Sequence, residues 1–394
     1  MRPRITAWAS GPAGLSMVKE YRCLPCPVTL KIVTTIDRAE ANDSGILVWM
    51  SDKAQPLELS WIWVRDHSED PTSLDPVNRQ REVDTFSLDR TSMAKSVDLV
   101  DGRVQVEWTD GSPTSLLSSG LLSSLSPAAP MARPWRSPSE LEVEFVPFDE
   151  VMHTNAGLRR WLEAIGRNGF GLVSGVPTDQ ASAQSLASRI GYVRRTIFGD
   201  MWTLSSEVVE HADSAYGSAT LEPHTDGCYS HDGPGMQMFA CSERTGTGGE
   251  SVMVDGFAAA DVLRSMDPDS FDLLTRVSVP GHYIEAGIHL QASRPTITLH
   301  ADGSIRQVTF NNYDRSPFLL PAAEMAAWYN AYSAFHELLV DEASWWTHRL
   351  EPGDALMFDN WRCLHGRLAY TGTRVFHGCY VNHEDLESRL RVTA

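Results

Sequence analysis

Apolar and polar positions alternate in short runs over the first third of the chain. Residues 28–35, 45–49, 57–64 and 104–108 are rich in β-branched and aromatic side chains, and Asp110-Gly111 is a turn signal. The pattern predicts a small all-β domain over residues 27–118. From 119 to 140 it gives way to Ser, Ala, Pro and Gly, with prolines at 127, 130, 134 and 138 that exclude a helix interior or a central strand and mark a linker.

Past Leu141 the period changes. Leu158, Trp161, Leu162 and Ile165 recur at helical spacing after a candidate cap at Asn155 and before Gly166 and Gly169. A buried strand over 170–173 and a second helical stretch over 181–190 follow. The remainder alternates short strands with Gly, Pro and Asn, interrupted by one helix over 322–340. Residues 141–394 therefore read as mainly β with flanking helices, arranged as a double-sheet jelly roll. No internal repeat is present.

Composition narrows the function. With 33 Lys plus Arg against 51 Asp plus Glu, the formal charge of −18 argues against binding a phosphate backbone, so no nucleic-acid partner is expected. No apolar run approaches the roughly 18 residues of a membrane-spanning helix, so no membrane partner is expected either. Six scattered cysteines do not make a disulfide scaffold and suit a reducing interior: cytoplasmic, or mitochondrial in a eukaryote. Residues 1–26 form an N-terminal extension in which Arg2, Arg4 and Lys19 precede the first acid, Glu20, a bias compatible with targeting.

The chemistry begins at His224-Thr225-Asp226. On a strand, residues i and i+2 face the same way, so an imidazole and a carboxylate can converge on a metal; the alternative is a surface pair. An apolar strand then delivers His365, followed by Gly366 and, further on, Arg374. Two histidines and one carboxylate leave half of an octahedral shell open, the arrangement with which non-haem Fe(II) oxygenases take a bidentate 2-oxo acid and dioxygen. Arg374 would pair with the far carboxylate of that acid. The glycine-rich run 246–249 lacks the Gly-Lys-Ser/Thr of a phosphate cradle.

These residues resemble the 2-oxoglutarate-dependent dioxygenases, within them the branch of trimethyllysine and γ-butyrobetaine dioxygenases. The resemblance runs from about Trp61 to the C-terminus. It is carried by Pro223-His224-Thr225-Asp226, Gly248-Gly249-Glu250-Ser251, Val254-Asp255-Gly256-Phe257, Asn311-Asn312-Tyr313-Asp314-Arg315 and Phe358-Asp359-Asn360-Trp361-Arg362 leading into His365-Gly366-Arg367. It implies a double-stranded β-helix, Fe(II) held by His224, Asp226 and His365, and 2-oxoglutarate held by Arg374 and Ser251, with ascorbate as reductant. For Ser251 a capped turn is the alternative.

The branch encloses a trimethylammonium group in aromatic rings, whose negative faces attract a cation that donates no hydrogen bond. The resemblance puts Phe198, Trp202, Tyr216 and Tyr380 at those positions, Phe198 standing where the γ-butyrobetaine enzyme has tyrosine. It puts Asp213 where that enzyme has an asparagine beside the substrate carboxylate. An acid there would repel a carboxylate and suits an α-ammonium, which favours trimethyllysine, hydroxylated at its third carbon, with Asn311 at the carboxylate end.

One departure concerns zinc, which the branch binds in its small domain just after a segment like Trp63-Val64-Arg65-Asp66. Here His67-Ser68-Glu69-Asp70 follows without cysteine, so structural zinc is not expected unless Cys23 and Cys26 join His67. Other readings stay open: hydroxylation of γ-butyrobetaine or a trimethylammonium phosphonate, a non-catalytic jelly roll that binds trimethylammonium, or a metal-dependent hydrolase. Residues 226–235 read as a wet lid with a stiff turn at Gly233-Pro234-Gly235. The branch is often dimeric, and the amphipathic segment 386–391 suits either core or a homodimer interface.

Overall fold

The structure is a computed structural model that describes residues 34–125, 131–205 and 217–393. The chain divides into two compact units, residues 1–129 and 130–394. The expected extension 1–26, with Cys23 and Cys26, and all but the end of the expected strand 28–35 lie outside the described residues.

The first unit contains two three-stranded antiparallel sheets. One is Ile36–Ala41, Gly45–Met50 and Leu57–Ser60; the other is Ala94–Val100, Arg103–Trp108 and Ser115–Ser118. Their inward residues, among them Ile46, Val48, Val104, Val106 and Leu117, form one core. The segment 57–64, expected as a single strand, leaves the sheet at Ser60 and continues as the helix Trp61–Asp66. Trp61 and Val64, three residues apart, then both reach the core. His67 stacks on Trp63 at 4.3 Å, with its Nδ1 against the Trp63 carbonyl and its Nε2 3.0 Å from the Arg81 guanidinium. The expected linker 119–140 opens with a helix, Ser119–Ser124, because the Ser118 hydroxyl caps it and Leu122 is buried before the first proline.

In the second unit the helix Asn155–Asn168 is capped by Thr154, whose hydroxyl accepts from Gly157 N, rather than by Asn155. Gly169 ends it in the left-handed region at φ 82°. Two sheets follow. The six-stranded one runs Phe145–Pro147, Phe170–Ser174, Ala355–Asp359, Met236–Arg244, Arg374–Val381, Trp202–Ser205. The four-stranded one runs Leu221–His224, Cys363–Arg367, Ser251–Asp255, Trp346–His348. All neighbours are antiparallel except the pair Phe145–Pro147 and Phe170–Ser174.

The period of two sorts side chains between layers. Met236, Met238 and Ala240 pack with Leu158, Trp161 and Leu186 of helices on the outer face of the larger sheet. Phe170, Leu172, Cys241, Leu356 and Phe358 turn inward and meet Met253 and Cys363 of the smaller sheet. On the smaller sheet's outer face, Val252, Val254 and Leu364 pack with Leu263, Leu274 and Trp328. This is a jelly-roll-type sandwich covered by helices on both sides. Besides the expected helix, observed at Ala322–Leu339, residues 256–393 contain Gly256–Met266, Pro268–Arg276 and His383–Thr393. The first two begin at Asp255 and Asp267, whose carboxylates accept from the first free N–H groups. Leu386, from the segment expected as core or interface, is buried in the core of this unit.

The turn between Ala355–Asp359 and Cys363–Arg367 ties these layers. Arg362 is fully buried and pairs with Asp255 at 2.7 Å, while also donating to the carbonyls of Arg133 and Arg167. Asp255 in turn accepts from Trp135 N. Trp135, within the expected linker, is therefore a core residue whose indole donates to the Asn168 carbonyl. Asn360 accepts from Asp226 N at 2.8 Å and donates to the carbonyls of Asp226 and Pro234. Trp361 donates to the Gly233 carbonyl. Residues 226–235 are thus an anchored, largely buried loop and not the wet lid expected. At Gly235 a Cβ would lie 2.3 Å from His383 N, so the loop packs directly on the start of the last helix.

Two outcomes follow from these contacts. Asp255→Ala leaves a buried guanidinium unpaired and is expected to lower stability by about 3–5 kcal/mol in urea titration, with Arg362→Met on that background restoring part of it. His383 stacks on Trp361 and bonds Asp359 at 3.2 Å. Burial opposes its charge, but Asp359 and Glu387 outweigh it and raise the pKa from 6.5 to about 8. A raised pKa stabilises the fold fully below pH 6.5 and the contribution is lost as pH rises through about 8. Comparison with His383→Gln across that window should show roughly 1–2 kcal/mol lost by the wild type only, measured by chemical unfolding.

Candidate active site

His224 ends its strand and lies directly opposite His365 in the neighbouring one. The strand stops there, so Asp226 does not share a strand face with His224 as expected. The chain turns, with Gly227 at φ 75° and Asp226 N bonded to Asn360, and this turn swings the carboxylate back toward both imidazoles. Ligand-capable atoms of His224, Asp226 and His365 all lie within 4.8 Å of one another. Asp226 Oδ1 is 3.4 Å from His224 Nε2 and 3.9 Å from His365 Nε2.

The protonation states suit a cation. His224 Nδ1 lies 2.8 Å from the Glu222 carbonyl, which places a proton on Nδ1 and turns Nε2 toward Asp226. The His365 pKa is pushed down to about 3, first by burial and then by the neighbouring His224, so the ring is neutral. Burial opposes the charge on Asp226, yet the adjacent imidazoles and the Tyr380 hydroxyl hold its carboxyl well below the usual range. Two imidazoles, that of His365 neutral, and one carboxylate aimed at one point are a donor set that fits Fe(II) and leaves positions open for other ligands.

Asp226 Oδ2 is held separately. It accepts from Gln237 Nε2 and from the Tyr380 hydroxyl, each at 2.8 Å, and these two residues face each other across adjacent strands. Only Oδ1 is left toward the histidines, so the carboxylate would bind a metal through one oxygen. Gln237 was not anticipated from the sequence. Its signal was a lone amide in the otherwise apolar run Met236-Gln237-Met238-Phe239, at a position whose alternation points inward.

A cavity of about 800 Å³, its open mouth included, surrounds the triad. Arg374 and Ser251, both expected at a cosubstrate, line it. Arg374 is 8% exposed, and its Nε has no hydrogen-bond partner. Burial first, then the adjacent Arg367, pushes its pKa down to about 9. Arg367, quoted in a motif but given no role, is buried in the same wall and sits opposite Ser251 across the sheet. Two buried guanidinia crowd one end of the cavity, and Asp226 is the single carboxylate among the described lining residues. Such an end calls for an anion, and the dicarboxylate 2-oxoglutarate fits it.

The other wall is aromatic. Phe198, Trp202 and Tyr380 line the cavity, with the Trp202 and Tyr380 rings 5.8 Å apart and Phe198 set edge-on to Tyr283. Tyr216 and Asp213 lie outside the described residues. Asn311 is not where the substrate reading put it. It does not line the cavity, and its amide is used internally: Nδ2 donates to the Thr225 carbonyl and to Asp314, while Oδ1 accepts from Tyr313 N and Asp314 N. It shapes a turn behind the triad.

Gln237→Met keeps the volume and removes one donor from Asp226 Oδ2. Iron affinity is expected to fall about 10- to 100-fold with the fold intact, measured by metal titration and circular dichroism.

Residues 132–380 match the family model described as "Taurine catabolism dioxygenase TauD, TfdA family". The mitochondrial trimethyllysine dioxygenase of Homo sapiens is 31% identical over 350 residues, covering 85% of this chain and 83% of that protein. The γ-butyrobetaine dioxygenase of Pseudomonas sp. (strain AK-1) is 30% identical over 392 residues, covering 95% of this chain and 99% of that protein. The trimethyllysine dioxygenase of Meyerozyma guilliermondii is 35% identical over 240 residues, 60% of each chain. A buried triad of two imidazoles and a carboxylate, beside a guanidinium-lined end, thus occurs in a chain that belongs to the TauD/TfdA dioxygenase family.

Proposed function

We propose that this dioxygenase hydroxylates a C–H bond of a trimethylammonium substrate, with trimethyllysine as the preferred one. His224, Asp226 and His365 would hold Fe(II), and Arg374, Ser251 and Arg367 would hold 2-oxoglutarate. The observation that carries this reading is a single cavity combining the triad, a buried end lined by the Arg374 and Arg367 guanidinia, and an aromatic wall. The trimethyllysine and γ-butyrobetaine dioxygenases to which the chain is similar are both named for trimethylammonium compounds.

Bound iron supplies the oxidation, in which 2-oxoglutarate and dioxygen become succinate and carbon dioxide while one oxygen atom enters the substrate C–H bond. The chain supplies position. Gln237 and Tyr380 fix one oxygen of Asp226 so that the other stays available. The buried guanidinium of Arg374 pairs with the far carboxylate of the cosubstrate, an interaction strengthened by exclusion of water. Phe198, Trp202 and Tyr380 present ring faces to the quaternary ammonium and so set which methylene comes nearest the metal. A reader of trimethylammonium would have no use for the guanidinium end, and a hydrolase would not need a dicarboxylate.

Trimethyllysine is favoured over γ-butyrobetaine by Asp213 in Asp213-Ser214-Ala215-Tyr216, an acid suited to an α-ammonium and repelled by a bare carboxylate. The bacterial relative matched over nearly its whole length keeps γ-butyrobetaine as the second reading. We assign residues 27–118 to a separate small β domain and 141–394 to the catalytic one, consistent with the two compact units.

The deciding experiment incubates iron-loaded protein with 2-oxoglutarate and oxygen, and compares trimethyllysine, γ-butyrobetaine and a trimethylammonium phosphonate by succinate release and product mass. Gain of one oxygen on trimethyllysine alone is expected. Turnover only on γ-butyrobetaine or the phosphonate would reverse the role given to Asp213. His224→Ala and Asp226→Ala should abolish coupled turnover. Arg374→Ala should raise the KM for 2-oxoglutarate roughly 10- to 100-fold.

A further inference from the structure

His224 sits at the end of an edge strand. Leu221–His224 is the outermost strand of the smaller sheet and pairs with Cys363–Arg367 at Leu221 and at His224, with the register shifting between them. Such an edge holds its residues loosely unless another part of the chain occupies its open side. Tyr313 does so here, from Asn311-Asn312-Tyr313-Asp314-Arg315, the motif through which Asn311 was expected to reach the substrate. Its hydroxyl accepts from Glu222 N at 3.1 Å, and its ring meets the His224 imidazole edge-on, with centroids 5.9 Å apart at 83°.

The start of the motif grips the same segment. Thr225, between the two ligand residues, is buried, and its polar groups are spent on Phe310 and Asn311: Thr225 N donates to the Phe310 carbonyl, its hydroxyl accepts from Phe310 N, and its carbonyl accepts from Asn311 Nδ2. The motif is anchored in turn. The Asp314 carbonyl accepts from His282 N, Ser316 N donates to the Pro280 carbonyl, and the Arg315 guanidinium lies 5.5, 5.7 and 5.8 Å from the rings of Trp328, Tyr329 and Tyr332.

Glu222 links the motif to the imidazole. Its carbonyl accepts the His224 Nδ1 proton at 2.8 Å, and the residue after it is Pro223. A residue before proline is confined to extended backbone and proline fixes its own φ, so the direction of the Glu222 N–H dictates that of its carbonyl and hence the tilt of the ring. Water could satisfy an N–H at this exposed edge about as well as a hydroxyl does, so the bond to Tyr313 contributes direction more than stability. The acceptor of a ligand histidine's second N–H sets how the ring faces the metal. Resting on the assignment of His224 and Asp226 to iron, we infer that Tyr313 is a positioning residue for the metal centre: its hydroxyl, acting through Glu222, fixes the orientation of His224, and residues 310–315 clamp the segment His224-Thr225-Asp226.

The test uses the full-length protein and reads metal binding without turnover. Tyr313→Phe keeps the ring edge on His224 and removes the hydroxyl. In anaerobic titration its Fe(II) affinity should fall about 5- to 20-fold, and Co(II) bound at the site should change its visible absorption band. Because Tyr313 is 49% exposed, the unfolding midpoint of the metal-free variant should stay within about 1 °C of wild type. Tyr329→Phe removes a hydroxyl of similar exposure from a ring that also packs on Arg315, and should bind both metals as the wild type does. A Tyr313→Phe protein with wild-type affinity and an unchanged cobalt band would overturn the inference, whatever its unfolding midpoint, as would equal losses in the two variants. A wild type that takes up neither metal would overturn the triad assignment and this inference with it, whereas wild-type uptake matched by Tyr313→Phe removes this inference alone.

Discussion

The architecture of the catalytic unit depends on the buried pair of Asp255 and Arg362. Removing two charges from water is costly, and the cost is offset here because Arg362 also donates to carbonyls at 133 and 167 while Asp255 also accepts from the start of a helix and from Trp135. Few other arrangements of the chain would satisfy both groups. The pair therefore acts as a register pin: it joins the turn after one sheet strand to the end of a strand in the facing sheet. Asn360, two residues away, extends the same turn to the loop of Asp226. The geometry of the triad is thus inherited from a tertiary knot of hydrogen bonds and not from the strand that carries His224.

That dependence explains which parts of the fold were legible in the sequence. Strands with both faces covered, such as Ala355–Asp359, announce themselves as apolar runs, and the helix Asn155–Asn168 shows its stripe because one face is solvated. The helices Gly256–Met266 and Pro268–Arg276 were missed because their signal lies in the caps Asp255 and Asp267, which look like ordinary turn acids until the N–H groups they bond are known. The segment 57–64 was misread because Trp61 and Val64 suit a strand by propensity and are claimed for a helix by the core.

The candidate site divides in the same way. His224, Asp226, His365 and Arg374 were legible because metal and dicarboxylate chemistry restricts the residue types that can serve. The motif residues Asn311, Asn360 and Arg362 carry just as much pattern, yet they are spent on backbone and buried charge. Gln237 carries no pattern beyond being polar in an apolar strand. Net charge was a poor guide to the interior: a chain of −18 overall turns Arg367 and Arg374 into its cavity, so the local field there is opposite in sign to the distant one.

Tyr380 has two duties, a ring face in the aromatic wall and a hydroxyl on Asp226. The consequence concerns how such a site can diverge. Phe198 and Trp202 have no hydrogen bond to the triad, so their exchange remodels the wall and leaves the carboxylate as it was. Any exchange at Tyr380 alters wall and carboxylate together, and phenylalanine, the mildest change in shape, is the one that most cleanly strips the metal-facing group of a donor. Diversification of substrate range is thereby channelled toward Phe198 and Trp202, while the residue nearest the triad is tethered to the chemistry it adjoins.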